Sequence, residues 1–277
     1  MNQDYLNRRI KRIKDNIKRN LPKDRLLLST GEGHAYFDSV SGVTFSSVTT
    51  KLKILSNPIF SDRKMNRSLD YLQSHFSEIR QDNLSQMFDD AKKCPETLFK
   101  EASALGTRVH DYVEHIINIW IEFGEMPDVK AILKDEPDRR VWSAVRSFDK
   151  WVKDNNFTPI SSELQVWSDS NNIAGTLDCI GLTGSDLTLV DWKTSAVIIK
   201  SYYLQVAAYY RMFTERTGLK IKKVVIVGLD LDHGIYHDEV VTNIKECFQA
   251  FKHCSILHDK LIRIETELNK RKNLLII

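Results

Sequence analysis

Residues 173–193, which read IAGTLDCIGLTGSDLTLVDWK, decide the fold class of this chain. Apolar and small residues alternate over Ile173–Leu182, and Leu187–Asp191 is a second short apolar run. Between them, Gly184-Ser185-Asp186 is typical of a tight hairpin turn. The pattern therefore predicts two adjacent antiparallel strands.

Each of these two strands carries a carboxylate among apolar neighbours. Asp178 lies inside the first strand and Asp191 ends the second, so a tight turn can bring both onto one face. Burying two like charges together costs free energy unless a cation lies between them. Carboxylate oxygens are hard donors that suit Mg²⁺ or Mn²⁺. The pair therefore predicts a divalent metal site.

A lysine follows this pair at strand spacing. Lys193 is two residues beyond Asp191, which places it on the same side of a strand. An ammonium group beside metal-bound carboxylates can hold an attacking water and neutralise charge on a phosphate, which points to phosphodiester hydrolysis. The alternative is a structural ion pair between Asp178 and Lys193 at a strand edge.

Four further polar residues are candidates for the same site. Glu163 opens the preceding strand, and His110 lies near the start of an amphipathic helix. Gln205 and Tyr209 are four apart, so they share one face of the helix that follows Lys193. The alternative for His110 is a core histidine whose hydrogen bonds are made within the protein. The alternative for Gln205 and Tyr209 is that they only pack against neighbouring residues.

The remaining pattern indicates an α/β protein with a mixed sheet. We predict a basic helix over residues 1–20, a small hairpin around the Asp38–Gly42 turn, and a polar helical region from Ser47 to about Ser103. From residue 106 the predicted order is α, α, β, β, β, α, β, α. These helices and strands are predicted at Gly106–Phe123, Val141–Asn155, Ser162–Trp167, Ile173–Leu182, Leu187–Asp191, Ser201–Thr217, Lys223–Leu229 and Asn243–Arg271. We expect residues 1–105 to form an N-terminal region and 106–277 the core, within one compact unit.

Composition excludes several classes of protein. A 42% hydrophobic content in 277 residues is ordinary for a folded chain and argues against disorder. No apolar run approaches the roughly 20 residues of a membrane-spanning helix, so no membrane association is expected. Cys94, Cys179, Cys247 and Cys254 have no metal-type spacing, which predicts reduced thiols in a cytoplasmic protein. The net charge of +3 is mild, although basic residues recur in 1–20 and 51–67.

The ordered set of motifs resembles the PD-(D/E)XK nuclease superfamily. The set comprises Gly106-Thr107 with His110, then Glu163, Gly175-Thr176 with Asp178, Asp191-Trp192-Lys193-Thr194-Ser195, and Gln205 with Tyr209. The last pair is similar to the RecB-like exonuclease branch. Phe45–Thr50, ahead of a helical region, is similar to mitochondrial genome maintenance exonuclease and its phage relatives.

The resemblance implies a role for each matching residue. His110, Asp178, Asp191 and the carbonyl of Trp192 would bind one or two Mg²⁺ or Mn²⁺ ions, and Lys193 would be the catalytic lysine. Glu163 would support the site through a metal-bound water. The residues expected to contact the nucleic acid are Ser47, Thr49, Thr50, Gln205 and Tyr209. The helical insert between Thr50 and Gly106 would cap the site of a restriction-endonuclease-like core.

The implied function is a metal-dependent DNA exonuclease acting on single-stranded or free-ended DNA in replication, recombination or repair. The iron–sulfur members of this branch carry clustered cysteines that this chain lacks, so no cluster is expected. The short basic N-terminus favours the cytoplasm of a phage-infected or bacterial cell over a mitochondrion. Two alternatives stay open, a structure-specific endonuclease of the junction-resolvase type and a non-catalytic nucleic-acid-binding module.

Overall fold

A mixed β-sheet with helices packed against it forms the centre of the protein. A computed structural model describes residues 3–29, 34–55 and 58–274, without the side chains of residues 3, 58–63 and 271–274. The strands are β1 (Leu26–Ser29), β2 (Ala35–Asp38), β3 (Thr44–Ser47), β4 (Phe157–Ser168), β5 (Ile173–Thr183), β6 (Asp186–Lys193), β7 (Lys223–Leu229) and β8 (Tyr236–Val240). The helices are α1 (Gln3–Asn20), α2 (Val48–Leu52), α3 (Pro58–Ser74), α4 (Leu84–Phe123), α5 (Val129–Ile132), α6 (Arg139–Asp154), α7 (Lys200–Thr217) and α8 (Ile244–Leu274), and a 3₁₀ turn spans Phe76–Glu78.

Among the described residues the sheet has eight strands in the order β1-β2-β3-β5-β6-β7-β8, and β4 pairs with β5. The β3/β5 and β6/β7 pairs are parallel and the others antiparallel. The mixed α/β class predicted from the sequence is therefore confirmed. The hairpin turn between β5 and β6 is also confirmed, with Gly184 at a φ of 58° that an L-residue disfavours.

Apolar packing holds helices against the sheet. Trp192 of β6 contacts Phe148 and Trp151 of α6, with ring centroids 5.1 and 5.2 Å apart in edge-to-face geometry. A second core cluster joins α1, α7 and α8 to the sheet, for example through Ile13 and Phe213. Since Asp191 and Trp192 are consecutive in β6, their side chains point to opposite faces of the sheet.

The N-terminal strands extend this sheet. Tyr36 of β2 hydrogen-bonds Thr176 of β5 through their hydroxyl groups at 3.0 Å. Ser46 and Ser47 of β3 pair in parallel with Ile173 and Ala174. The predicted hairpin is confirmed, whereas β1 and β8 were not predicted.

The chain divides into two compact units, and the division differs from the predicted boundary at 105/106. One unit comprises residues 1–55 and 111–277, and the other comprises residues 56–110. The predicted start of a helix at Gly106 is wrong, because α4 begins at Leu84 and continues through Pro95 and Gly106. No helix in the described part of the chain is long and apolar enough to cross a membrane.

Candidate active site

The two aspartates of the predicted pair lie opposite each other on β5 and β6. Cys179 of β5 pairs with Val190 of β6, so Asp178 and Asp191 occupy the next position of this antiparallel register. The edge of β5 that faces β6 also pairs with β3. Along this edge, β5 pairs with β3 through its first two residues and with β6 only from Cys179 onward. Asp178 therefore sits where β3 and β6 leave a gap beside β5.

Lys193 forms an ion pair with Asp191. Its Nζ lies 2.6 Å from Oδ2 of Asp191, whose side chain is fully buried, while the Lys193 side chain is 14% exposed. The Nζ also lies 5.0 Å from the ring centroid of Tyr202. Burial lowers the pKa of Lys193, but the charges of Asp191 and Asp178 outweigh it and the pKa is raised. Lys193 therefore stays protonated.

Asp178 is held by the backbone of β6. The amide N–H of Trp192 donates a hydrogen bond to Oδ2 of Asp178 at 2.7 Å. Burial raises the pKa of Asp178, although the charge of Lys193 and this hydrogen bond act in the opposite direction. Trp192 thus contacts the site through its N–H group, and the metal-ligand role predicted for its carbonyl stays a prediction.

Glu163 lies across from Asp178 on β4. Its neighbours Ser162 and Leu164 pair with Cys179 and Leu177, and its own φ of 46° is in the left-handed region. This conformation is unusual for a residue other than glycine, and such strain concentrates at functional sites. It interrupts the regular pairing of β4 at the position opposite the aspartate.

Several negative charges surround Glu163. The pKa of Glu163 is raised from 4.5 to about 8. The largest cause is loss of hydration, followed by the negative charges of Asp178, Glu114, Asp191 and Asp111. Glu163 is an exposed residue, so water screens part of this repulsion even though its carboxyl group lies among many protein atoms. The contribution of Asp111 was missed by sequence reasoning, because the motif on α4 consists of Gly106, Thr107 and His110 and does not include Asp111.

A polar cavity of about 390 Å³ adjoins Glu163. Its wall includes Glu114 and Asn118 of α4, and Asn118 accepts a hydrogen bond from Ser162 at 2.7 Å. The cavity also reaches Thr176 of β5, two residues before Asp178. It offers a polar, open approach to the acidic group.

Gln205 and Tyr209 lie over β5 from the side of α7. The Gln205 Nε2 donates to the Tyr209 hydroxyl at 3.1 Å. A Cβ atom at Gly175 would lie 2.6 Å from Cε1 of Tyr209, so the ring packs directly on the glycine. The pKa of Tyr209 is raised well above 10. Burial is the largest cause, and nearby charges, including those of Asp191 and Asp178, add to it. The phenol is therefore neutral and can donate a hydrogen bond.

The hydroxyl groups predicted to contact phosphates form a helix cap. Ser47 accepts from the N–H of Thr50 at 3.0 Å and donates to its Oγ1 at 2.9 Å, and Thr49 Oγ1 lies 3.0 Å from Ser47 Oγ. These contacts stabilise the start of α2. Ser47 pairs with Ala174, next to Gly175, so the cap lies beside the strand of Asp178. Phosphate contact by these residues stays a prediction.

His110 belongs to the 56–110 unit, where it is half-buried in α4. Asp178, Asp191, Lys193 and Glu163 belong to the other unit. The role of His110 as a metal ligand therefore stays a prediction.

The donor chemistry of the aspartate pair is compatible with a hydrated divalent cation. Among the residues that the structure describes, no group of three or more His, Cys, Asp or Glu side chains is placed to hold a metal. Mg²⁺ commonly binds through one or two carboxylates and keeps several waters. The opposed Asp178 and Asp191 supply these two carboxylates. The raised pKa values of Asp178 and Glu163 mean that added positive charge would stabilise this group.

Comparison with known proteins gives little similarity. No protein-family model matches the chain, and no curated protein matches it. A solved structure described as "Crystal structure of SSO0001" is 14% identical, over 55% of this chain and 74% of that chain, with a TM-score of 0.28. At that TM-score the similarity carries no argument about fold or function.

Proposed function

We propose that this protein is a metal-dependent deoxyribonuclease with a PD-(D/E)XK core of the RecB-like branch. The observation that carries the proposal is the opposed pair Asp178 and Asp191, with Lys193 bound to Asp191 two residues along the same strand. Such a group combines two hard oxygen donors with one fixed cation, which suits the hydrolysis of a phosphodiester.

Asp178 and Asp191 would hold one or two Mg²⁺ or Mn²⁺ ions. Such an ion supplies a polarised phosphoryl oxygen and an acidified water. The ammonium of Lys193 stays positive, so it can orient the attacking water and neutralise negative charge that grows on the phosphate. The hydrogen bond from the Trp192 N–H holds Oδ2 of Asp178 in place for the same task.

The other residues of the site would bind the DNA strand, orient it and exchange protons at the rim. The neutral Tyr209 hydroxyl and the Gln205 amide can donate hydrogen bonds to the phosphate chain of DNA, which positions a strand without reading its sequence. Glu163, whose pKa lies near neutrality, can take up or release a proton at the rim of the site.

We assign the substrate as single-stranded or free-ended DNA, handled during replication, recombination or repair in the cytoplasm of a bacterial or phage-infected cell. The choice of substrate rests on the resemblance, which implies a helical insert that would restrict access to ends. Residues 56–110 are the corresponding helical segment here, with α3 and the first part of α4.

The test is cleavage of end-labelled single-stranded DNA, linear and circular, in Mg²⁺, Mn²⁺ or EDTA. We expect metal-dependent loss of the linear strand alone. Lys193→Ala should lower the rate by about 10²- to 10⁴-fold with DNA binding retained, because the lysine acts on the transition state. The control is Lys200→Ala, an exposed lysine at the start of α7, which should cleave normally.

Each other outcome identifies a rival function. Cutting of the circular strand would reassign the protein to an endonuclease. DNA binding without turnover in any metal would leave a non-catalytic binding module, and full activity of Lys193→Ala would refute the mechanism.

A further inference from the structure

The last turns of α8 expose large apolar side chains. From residue 259 to residue 270 every residue of this helix is exposed. Leu257, Leu261, Ile264 and Leu268 are each between 47% and 53% exposed. A surface helix normally presents charged and polar residues to water, so an apolar row of this kind indicates a contact surface.

These four residues, which we name the α8 seam, follow a regular spacing of 4, 3 and 4 residues. At 100° per residue they lie within about 60° of helix surface. Alternating steps of three and four residues define the a and d positions of a coiled coil, with Leu261 and Leu268 at a. Ile256 and Ile262 are equally exposed but lie outside this arc.

The seam follows the turns of α8 that pack against the rest of the protein. Cys247, Phe251 and Ser255 of those turns are buried, and Cys254 is partly buried against the core. The directions of Cys247, Phe251, Cys254 and Ser255 lie about 70°, 110°, 50° and 150° around the helix from the centre of the seam. Asp259, which pairs with Lys51 of α2, lies on the same side as Ser255. A second helix can therefore approach the seam without displacing these contacts.

The charges beside the seam are self-complementary. Lys260 occupies position g and Glu265 the following position e. In a parallel pair of identical helices, g of one chain lies against the next e of its partner. Two-fold symmetry would then form the Lys260–Glu265 attraction twice, and both residues are exposed and available for it.

We propose that the α8 seam pairs with the same seam of a second copy of this chain as a short parallel coiled coil. The paired segment is about 18 Å long, since twelve residues rise 1.5 Å each. Such an interface is smaller than that of a typical stable dimer, so self-association occurs in the micromolar range. This inference is independent of the nuclease function.

Sedimentation velocity on the full chain, from about 1 µM to about 0.2 mM, tests the proposal. The expected result is a reversible monomer–dimer equilibrium. Ile264→Ser should raise the dissociation constant by about tenfold or more, because it removes an apolar contact from both copies. Ile262→Ser is the matched control, as exposed as Ile264 but outside the seam, and should leave the constant unchanged.

Charge reversal tests the orientation of the pair. Lys260→Glu and Glu265→Lys should each weaken the dimer, and the double variant should restore it because the attraction is rebuilt with its signs exchanged. A monomer at every concentration, equal effects of Ile262→Ser and Ile264→Ser, or no recovery in the double variant would overturn the parallel pairing. These positions are exposed, so the variants should fold normally.

Discussion

Gly175 places a helix residue against the strand that carries Asp178. Its missing side chain leaves room for the Tyr209 ring, which a Cβ would approach to 2.6 Å. Two members of the motif set, Gly-Thr-x-Asp on β5 and Gln-x-x-x-Tyr on α7, are therefore in direct contact. This contact brings the two motifs to the same part of the sheet.

We predict that Gly175→Ala destabilises the protein by about 1–3 kcal/mol, because the Tyr209 ring must shift in a packed site. In a Tyr209→Ala background the same substitution should cost much less, since the obstructing ring is absent. Urea unfolding of the four proteins in this cycle measures the coupling. Additive effects would contradict the proposed contact.

Glu163 makes stability depend on pH. Its pKa is raised in the folded protein to about 8 from 4.5, so the folded state binds a proton more tightly than the unfolded state. The free energy of unfolding should therefore fall as pH rises from about 4.5 through 8. We expect Glu163→Gln to flatten this decline in EDTA, as measured by calorimetric Tm at several pH values.

The control for this experiment is Glu122→Gln, an exposed carboxyl on α4. It should leave the pH dependence of Tm unchanged. An identical decline in wild type and Glu163→Gln would show that other groups cause it.

At the scale of elements, the hairpin of β1 and β2 depends on one buried carboxylate. Asp38 accepts two hydrogen bonds from Arg25, at 3.0 and 2.8 Å, and further bonds from the Val40 N–H and the Ser41 hydroxyl. Arg25 in turn lies over the ring of Trp167, 4.6 Å from its centroid. The hairpin is thereby fixed to β4.

We predict that Asp38→Asn costs about 3 kcal/mol, since it leaves the Arg25 charge without its bidentate partner. Hydrogen bonding by Arg25 holds the pKa of Asp38 well below its usual range. Its contribution is therefore present above about pH 4 and is lost as pH falls further. Denaturant unfolding at neutral and acidic pH should show the difference between wild type and variant shrinking in acid.

At the scale of the whole molecule, the basic helix α1 packs against the core through one apolar side and presents positive charge on another side. Ile13 and Ile17 are buried, whereas Lys11 and Arg12 are exposed. The side chain of Arg9 is engaged within the protein, because it donates a hydrogen bond to the carbonyl oxygen of Ser185. Only part of the basic character of residues 1–20 therefore faces solvent.

If α1 contacts DNA, affinity should fall steeply with salt. The double variant Lys11→Gln/Arg12→Gln should reduce the slope of log K against log salt by about 1.4 for single strands, at about 0.7 per phosphate contact. The matched control, Lys130→Gln/Lys134→Gln, removes two exposed lysines from the α5 region and should not change the slope. Fluorescence anisotropy at several salt concentrations measures both, and equal slopes would exclude α1 from the binding surface.

The sequence alone determined the local parts of this protein. The strands β5, β6 and β7 and the helix α7, with Gly218 in the left-handed conformation after it, follow from hydrophobic period and turn residues. The facing of Asp178, Asp191 and Lys193 also follows, because a tight turn fixes the register of two adjacent strands. These features depend on residues close together in the chain.

Only the tertiary structure decided the contacts between distant segments. It joined β3 to β5, extended α4 back to Leu84, and paired Lys193 with Asp191 where the sequence had offered Asp178. It also placed Glu163 in a left-handed conformation opposite Asp178, with Glu114 and Asp111 of α4 adding charge. Local propensity cannot predict these outcomes, because the register between distant strands and the sum of nearby charges are set by the packing of the whole chain.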